Sequence, residues 1–151
     1  MKHDRIVLAM LLCIISFIPI EIITQIAKRL HLTNISGLEA MSMIWLPEGS
    51  IILGILAGFG IGCWHGLVVY YSTKLWGTDY FPFKSMLLAM TGQSLTFSIF
   101  GVLGRNNYLI QDVCGNYVHA FAAACSGVLL GYLFKKYLFV SRNQSNSQNS
   151  G

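Results

Sequence analysis

The stretch from Gly49 to Thr73, GSIILGILAGFGIGCWHGLVVYYST, runs for 25 residues without one Asp, Glu, Lys or Arg. A bilayer core about 30 Å thick takes about 20 helical residues to cross. Three other runs reach that length. Ile6 to Ala27 spans 22 residues with Glu21 as its one charge, Ser85 to Gly104 spans 20 with none, and Val113 to Phe134 spans 22 with none. In hydrocarbon every backbone N–H and C=O must be paired internally, which leaves helices or closed barrels. None of the four runs alternates apolar and polar residues as barrel strands do. The fold class is therefore all-α, a polytopic integral membrane helical bundle.

Composition points the same way. The chain has 151 residues, 54% apolar and 11% charged, with mean hydropathy +0.60. A soluble domain carries about 25% charge, so this one cannot coat a globule with ionisable groups. Net charge is +4, but the basic residues stand singly or in pairs. No cluster offers a nucleic acid a binding groove, and the positive balance bears on membrane orientation instead. Lys2 and Arg5 ahead of an apolar run resemble a signal peptide. No small-residue cleavage site follows, and the run continues through Pro19, Glu21 and Gln25 to Lys28-Arg29, as in a retained membrane helix. Residues 1–140 read as one membrane domain. The tail 141–151, all Ser, Asn, Gln and Gly apart from Arg142, reads as disordered.

The run from Gly49 to Thr73 has two readings. As one helix it sets Gly54, Gly58, Gly62 and Gly66 at four-residue spacing, a small-xxx-small stripe that lets helix backbones approach closely in lipid. As a hairpin it turns at Gly60-Ile61-Gly62, with one helix from about Leu38 to Phe59 and the next from Cys63 to about Trp76. Composition leaves both open. Lys74 and Lys84 flank one loop, and Lys135, Lys136 and Arg142 follow the last helix. The positive-inside rule puts those clusters, and the carboxyl terminus, on the cytoplasmic face. Four helices place the amino terminus there too; five place it opposite.

Ile44-Trp45-Leu46-Pro47-Glu48-Gly49, an apolar run to Gly60, and then Gly62-Cys63-Trp64-His65-Gly66 together resemble the first class of membrane-associated sensor domains. These stand ahead of bacterial histidine kinases and cyclic-di-GMP enzymes. Trp45, Pro47, Gly49, Gly60, Trp64 and Gly66 fall in the order of that family's helix-opening elements, and Leu87–Gln93 looks like the small-residue start of its following helix. His65 stands where the family has Pro, and Glu48 where it prefers a small residue. The family domain is about twice as long, so the chain would cover its first half without an output domain. The resemblance implies the hairpin and hence five transmembrane helices, four being the alternative. It also implies a bacterial cytoplasmic (inner) membrane location and a sensory role exercised through a partner.

Glu48 is the sharpest candidate for a ligand or partner site. Ionisable groups at or inside a membrane are costly and often functional. Its simpler role is to cap the first turn of the next helix. Glu21 reads as the wet end of the first helix and Glu39 as interfacial. Trp45 and Pro47 would fix how the chain enters the membrane. His65 and His119, in apolar stretches, would bond neighbouring helices or meet a ligand. Cys63 and His65 offer two metal ligands where a closed zinc site takes four, so no metal or cofactor is expected. Cys13, Cys63, Cys114 and Cys125 form no CxxC pair, and Cys114 alone reads as a loop residue. Gly101-x-x-Gly104 and Gly127-x-x-x-Gly131 are packing spacings.

Thr91, Gln93, Ser94, Thr96 and Ser98 crowd hydrogen-bonding groups into one membrane helix, with Gln93, Thr96 and Phe100 on one face. Trp45, Trp64, Trp76, Tyr70, Tyr71, Tyr80 and Phe81 mostly read as interfacial belt aromatics. No nucleophile, base and orienting group fall into a catalytic order, so no catalysis is expected. The leading expectation is a sensory or interaction module working through a membrane protein partner or a second copy. The alternatives are a small-solute transport subunit, with Glu48, Gln93 and His119 around the solute, and a small immunity-type or structural membrane protein.

Overall fold

The computed structural model describes residues 2–103 and 107–139, the side chains of 2–4 and 103 excepted. Those residues form six α-helices and no strand. Four helical stretches are long and apolar enough to cross a membrane: Arg5–Arg29, Ile51–Trp76, Phe81–Val102 and Val113–Phe139.

The first span is two helices, α1 (Lys2–Ser16) and α2 (Ile18–Arg29), broken at Phe17. Pro19 causes the break. It has no N–H for the Ile15 carbonyl, and its ring clashes there, so the helix must restart with Pro in its first turn. A short helix, α3 (Gly37–Ser42), follows outside the spans. Next come α4 (Ile51–Trp76), α5 (Phe81–Thr96) and α6 (Val113–Leu133). Wider π-type turns extend α5 over Phe97–Leu103 and α6 over Phe134–Phe139.

The hairpin at Gly60-Ile61-Gly62 is absent, because α4 runs unbroken through it. The helix expected from Leu38 to Phe59 is instead α3, a turn and the first third of α4. Trp64 and Gly66 thus lie within α4 rather than opening a helix. The reason lies in what the glycines touch. A Cβ on Gly54 would run into the Leu38 carbonyl, on Gly62 it would stand 2.7 Å from Ile14 Cγ1, and on Gly66 2.7 Å from Met10 Cα. The upper half of the stripe seats α3 and the lower half seats α1, which needs one straight helix. A turn at mid-membrane would also leave backbone groups unpaired in hydrocarbon, at several kcal/mol each.

The second helix pair repeats the device. A Cβ on Gly127 would meet Met86 Cα at 2.6 Å, and one on Gly131 would run into Pro82 Cα. Ser85 donates to the Gly127 carbonyl at 2.6 Å, and Ser126 donates to the Ser16 carbonyl at 2.5 Å, tying α6 to α1. Gly104 lies outside the described residues.

The buried faces of α4 and α6 are mostly small: Gly54, Ala57, Gly58, Gly62 and Gly66 on one, Gly115, Ala122, Ala123, Ser126, Gly127 and Gly131 on the other. Large apolar residues point outward, as with Ile22, Ile52, Leu56, Trp64 and Phe121. In lipid this inversion is expected, since burying Leu gains nothing over leaving it among acyl chains. Helix α1 lies between α4 and α6, α5 packs on α6, and α4 and α5 hardly approach each other. That gap positions the site.

Candidate functional site

Four spans alternate in direction, so the loops 30–50 and 107–112 share one end of the bundle. The start of α1, the loop 77–80 and the end of the π-turns after α6 share the other. The first end is closed by a polar lattice built around α3.

Ser36-Gly37-Leu38-Glu39 is a capping box: Ser36 Oγ accepts from the Glu39 amide at 3.3 Å, and Glu39 Oε2 accepts from the Ser36 amide at 2.8 Å. The other two first-turn amides of α3 are taken by α2. Thr24 Oγ1 accepts from Gly37 N at 2.7 Å, and Glu21 Oε2 from Leu38 N at 2.8 Å. Glu21 is therefore a carboxylate set at a helix N-terminus, where the dipole favours it, rather than merely the wet end of its own helix. Gln25 donates to its other oxygen at 2.7 Å. Lys28 Nζ reaches both Glu39 oxygens, at 2.7 and 2.6 Å. Burial pushes the Glu39 carboxyl up, but the bonds from Lys28 and the Ser36 amide outweigh it and hold the group below its ordinary value.

His119, fully buried on α6, joins a second part of the lattice. Thr33 donates to Gln111 Oε1 at 2.9 Å and lies 3.3 Å from His119 Nε2. The Ile35 carbonyl, 3.2 Å from Thr33 Oγ1, is a further partner, and which group donates between Thr33 and His119 follows the imidazole tautomer. Asn34 N also donates to Gln111 Oε1, at 3.2 Å, and Asn116 Nδ2 donates to the Gln111 carbonyl at 3.1 Å. The loops before α3 and α6 are thereby stitched to each other and to the bundle. His119 stands out in the sequence as a polar residue in an apolar run, whereas Thr33 and Gln111 do not. They lie 78 residues apart, with no local pattern to join them. The capping box was a signal that could have placed Ser36 and Glu39.

Trp45, Pro47 and Glu48 sit on an exposed turn at this same end. Gly49 N donates to the Leu46 carbonyl at 2.9 Å, with Pro47 at the turn position that its fixed φ suits. Gly49 has φ +76°, a conformation that side chains rarely adopt. The cap of α4 is Ser50, which accepts from Leu53 N at 3.5 Å, so Glu48 does not fill that role. Among the described residues Glu48 has no hydrogen-bond partner.

The remaining candidates meet inside the bilayer. A cavity of about 360 Å³ fills the gap that α4 and α5 leave, with α2, α6 and the Phe17 break behind it. His65 projects into it, its ring edge-on to Phe17 at 6.3 Å and facing Gly92. Gln93 lies on the opposite wall. Gln93 also lines a second cavity, of about 410 Å³, where the two halves of α5 and α6 diverge beside Asn116 and His119. Gln93 is thus shared between one cavity lined by His65 and a second lined by His119. The structure leaves Trp45, Pro47 and Glu48 apart from them.

All four cysteines are free, and Cys114 belongs to the first turn of α6, not to a loop. Asp112 caps that turn by accepting from Gly115 N at 2.8 Å, which is why the helix begins before the cysteine. Among the described residues, no three His, Cys, Asp or Glu side chains stand close enough to hold a metal ion. Comparison with protein-family models, with curated proteins and with solved structures gives no match.

Proposed function

We propose that this chain is a sensory and interaction module of the bacterial cytoplasmic membrane, without catalysis of its own, which works by docking a transmembrane partner against α5. The observation behind this reading is the character of α5. Its span has the lowest mean hydropathy of the four, 1.3 against 1.5, 1.9 and 2.8, and is the least buried, 11% against 28% or more. An exposed membrane face should be the most apolar in the bundle. Here Thr91, Ser94 and Ser98 face outward instead. Small hydroxyl residues are what helix–helix interfaces in lipid select, and the next helix would come from a partner or from a second copy.

The charges support an orientation. Among the described residues Arg5, Lys74, Lys84, Lys135 and Lys136 lie at one end of the bundle and Lys28 and Arg29 at the other, with Lys28 already neutralised by Glu39. The first end, which includes the end of the last helix, is the cytoplasmic one by this reasoning.

Photo-crosslinking tests the docking face. A crosslinking residue at Ser98 should give one protein adduct of defined mass, and the same residue at Ile22, outward on α2, should give none. Equal adducts at both sites, or none at Ser98, would remove the reading. A second reading, a small-solute transport subunit, is favoured by the two cavities that meet at Gln93. It requires solute flux in vesicles holding this chain alone, abolished by Gln93→Leu.

A further inference from the structure

We infer that the cavity between α4 and α5 is a binding site for an uncharged amphiphile drawn from the bilayer, an apolar body carrying a hydrogen-bonding head. The inference does not depend on the docking face proposed above. Three observations carry it. First, the walls are mostly apolar, and most of their polar groups are already engaged. Ser16 donates to the Cys13 carbonyl at 2.7 Å, Ser126 to the Ser16 carbonyl, and Thr96 to the Gly92 carbonyl at 2.9 Å. Besides the Trp64 indole at the mouth, two polar side chains on the wall differ: His65 and Gln93 have no hydrogen-bond partner among the described residues. Unmet polar groups in an apolar setting are expensive, and a ligand's hydroxyl or carbonyl supplies the missing partner.

Second, the mouth faces sideways. Trp64, Val68, Thr91 and Leu95 line the cavity and are also exposed on the outer surface, at the gap between α4 and α5. Access is therefore from the acyl-chain region, which selects molecules that dissolve there. Third, the volume, about 360 Å³, is at the small end of the range for ligand pockets. It suits one chain or ring system rather than a whole phospholipid. No Asp, Glu, Lys or Arg lines the space, so a charged head would find no counter-ion.

The test uses Trp64 as reporter, with Trp45→Phe and Trp76→Phe leaving it the one tryptophan of the full chain in unlabelled phosphatidylcholine nanodiscs. The probes are 12-bromododecanol and its hydroxyl-free counterpart 1-bromododecane. The alcohol should quench Trp64 saturably and be displaced by plain dodecanol. The bromoalkane should quench only in proportion to its concentration in the lipid. His65→Phe should weaken the saturable component about five- to tenfold, the loss of one hydrogen bond. Gly92→Leu, which fills the space beside His65, should abolish it while the melting temperature stays near that of the parent.

Identical, unsaturating quenching by both probes would overturn the proposal. So would saturable binding that survives Gly92→Leu. If Gly92→Leu fails to fold, Thr91→Phe at the mouth is the second blocking variant, keeps Trp64 as the one tryptophan, and carries the same expectation.

Discussion

Adding one methyl group at Gly66 should separate α4 from α1, and the same methyl at Gly60 should do nothing. A Cβ on Gly66 would lie 2.7 Å from Met10 Cα and 2.9 Å from the Ala9 carbonyl oxygen, both backbone atoms of a packed helix. Carbon atoms settle about 3.5–4.0 Å apart, so the two helices must part by about 1 Å, which forfeits a quarter to a half of each contact along the seam. Overpacking of this kind costs about 1–3 kcal/mol. Gly60 points to lipid with nothing within 4 Å. Gly58 is intermediate in position but lenient in kind, because its nearest neighbour is the mobile end of Met41, at 3.4 Å. The usual gain from Gly→Ala in a helix, about 0.5–1 kcal/mol in water, should be small here, since the separated helices stay helical in the membrane. Reversible unfolding in mixed detergent micelles, followed by near-ultraviolet circular dichroism, gives the free energies. The expected order of damage is Gly66→Ala well above Gly58→Ala, with Gly58→Ala close to Gly60→Ala. Equal losses at all three, or a neutral Gly66→Ala, would refute the seam.

Ser126→Ala removes the bond to the Ser16 carbonyl and should cost only about 0.6 kcal/mol, the average for hydrogen bonds between membrane helices. The same unfolding titration should therefore rank it below Gly66→Ala. The Glu39 carboxyl is held below its ordinary value when folded, so its contribution is complete above the ordinary carboxylate pKa and is lost as pH falls through the lowered folded one. Melting curves from pH 7 to pH 3 should slope accordingly in the parent and flatten in Glu39→Gln. Glu21→Ala removes the acceptor of the Leu38 amide and should speed hydrogen exchange at Leu38 by about tenfold, leaving the amides of α6 unchanged. In a variant without its native cysteines, Cys at Glu48 should react with a water-soluble maleimide. Cys at Gly60, ten residues into the α4 span, should not, and labelling there would restore the hairpin.

Much of this fold is written in the distances between charges. The four uncharged or nearly uncharged runs coincide with the four spans because bilayer thickness dictates helix length. The number of helices was not written there. Glycines at Gly60 and Gly62 suit a turn as well as a packed helix, and only the partners decide: Ile14 lies against Gly62, while nothing lies against Gly60. Those partners are some 50 residues away, beyond any local pattern. The break at Phe17 was legible in principle, since Pro19 forces it. The same holds for α3, whose capping box stands open in Ser36-x-x-Glu39.

The site divides along the same line. Residue type pointed to His65, Gln93 and His119, because polar side chains in uncharged runs are rare enough to notice. The cavity that His65 and Gln93 share depends on α4 and α5 failing to pack, and His119 meets Gln93 in the second one, between α5 and α6; no sequence period encodes either. Glu48 illustrates the reverse. Its position between Pro47 and a membrane span made it conspicuous, yet it occupies an exposed turn and Ser50 caps the helix in its place. The carboxylates that do shape this end are Glu21 and Glu39, the two that the sequence presents as ordinary interfacial residues. A conspicuous charge beside a membrane span is one that water can still reach. A carboxylate bound to helix amides has its counterpart in the backbone, which the sequence does not display.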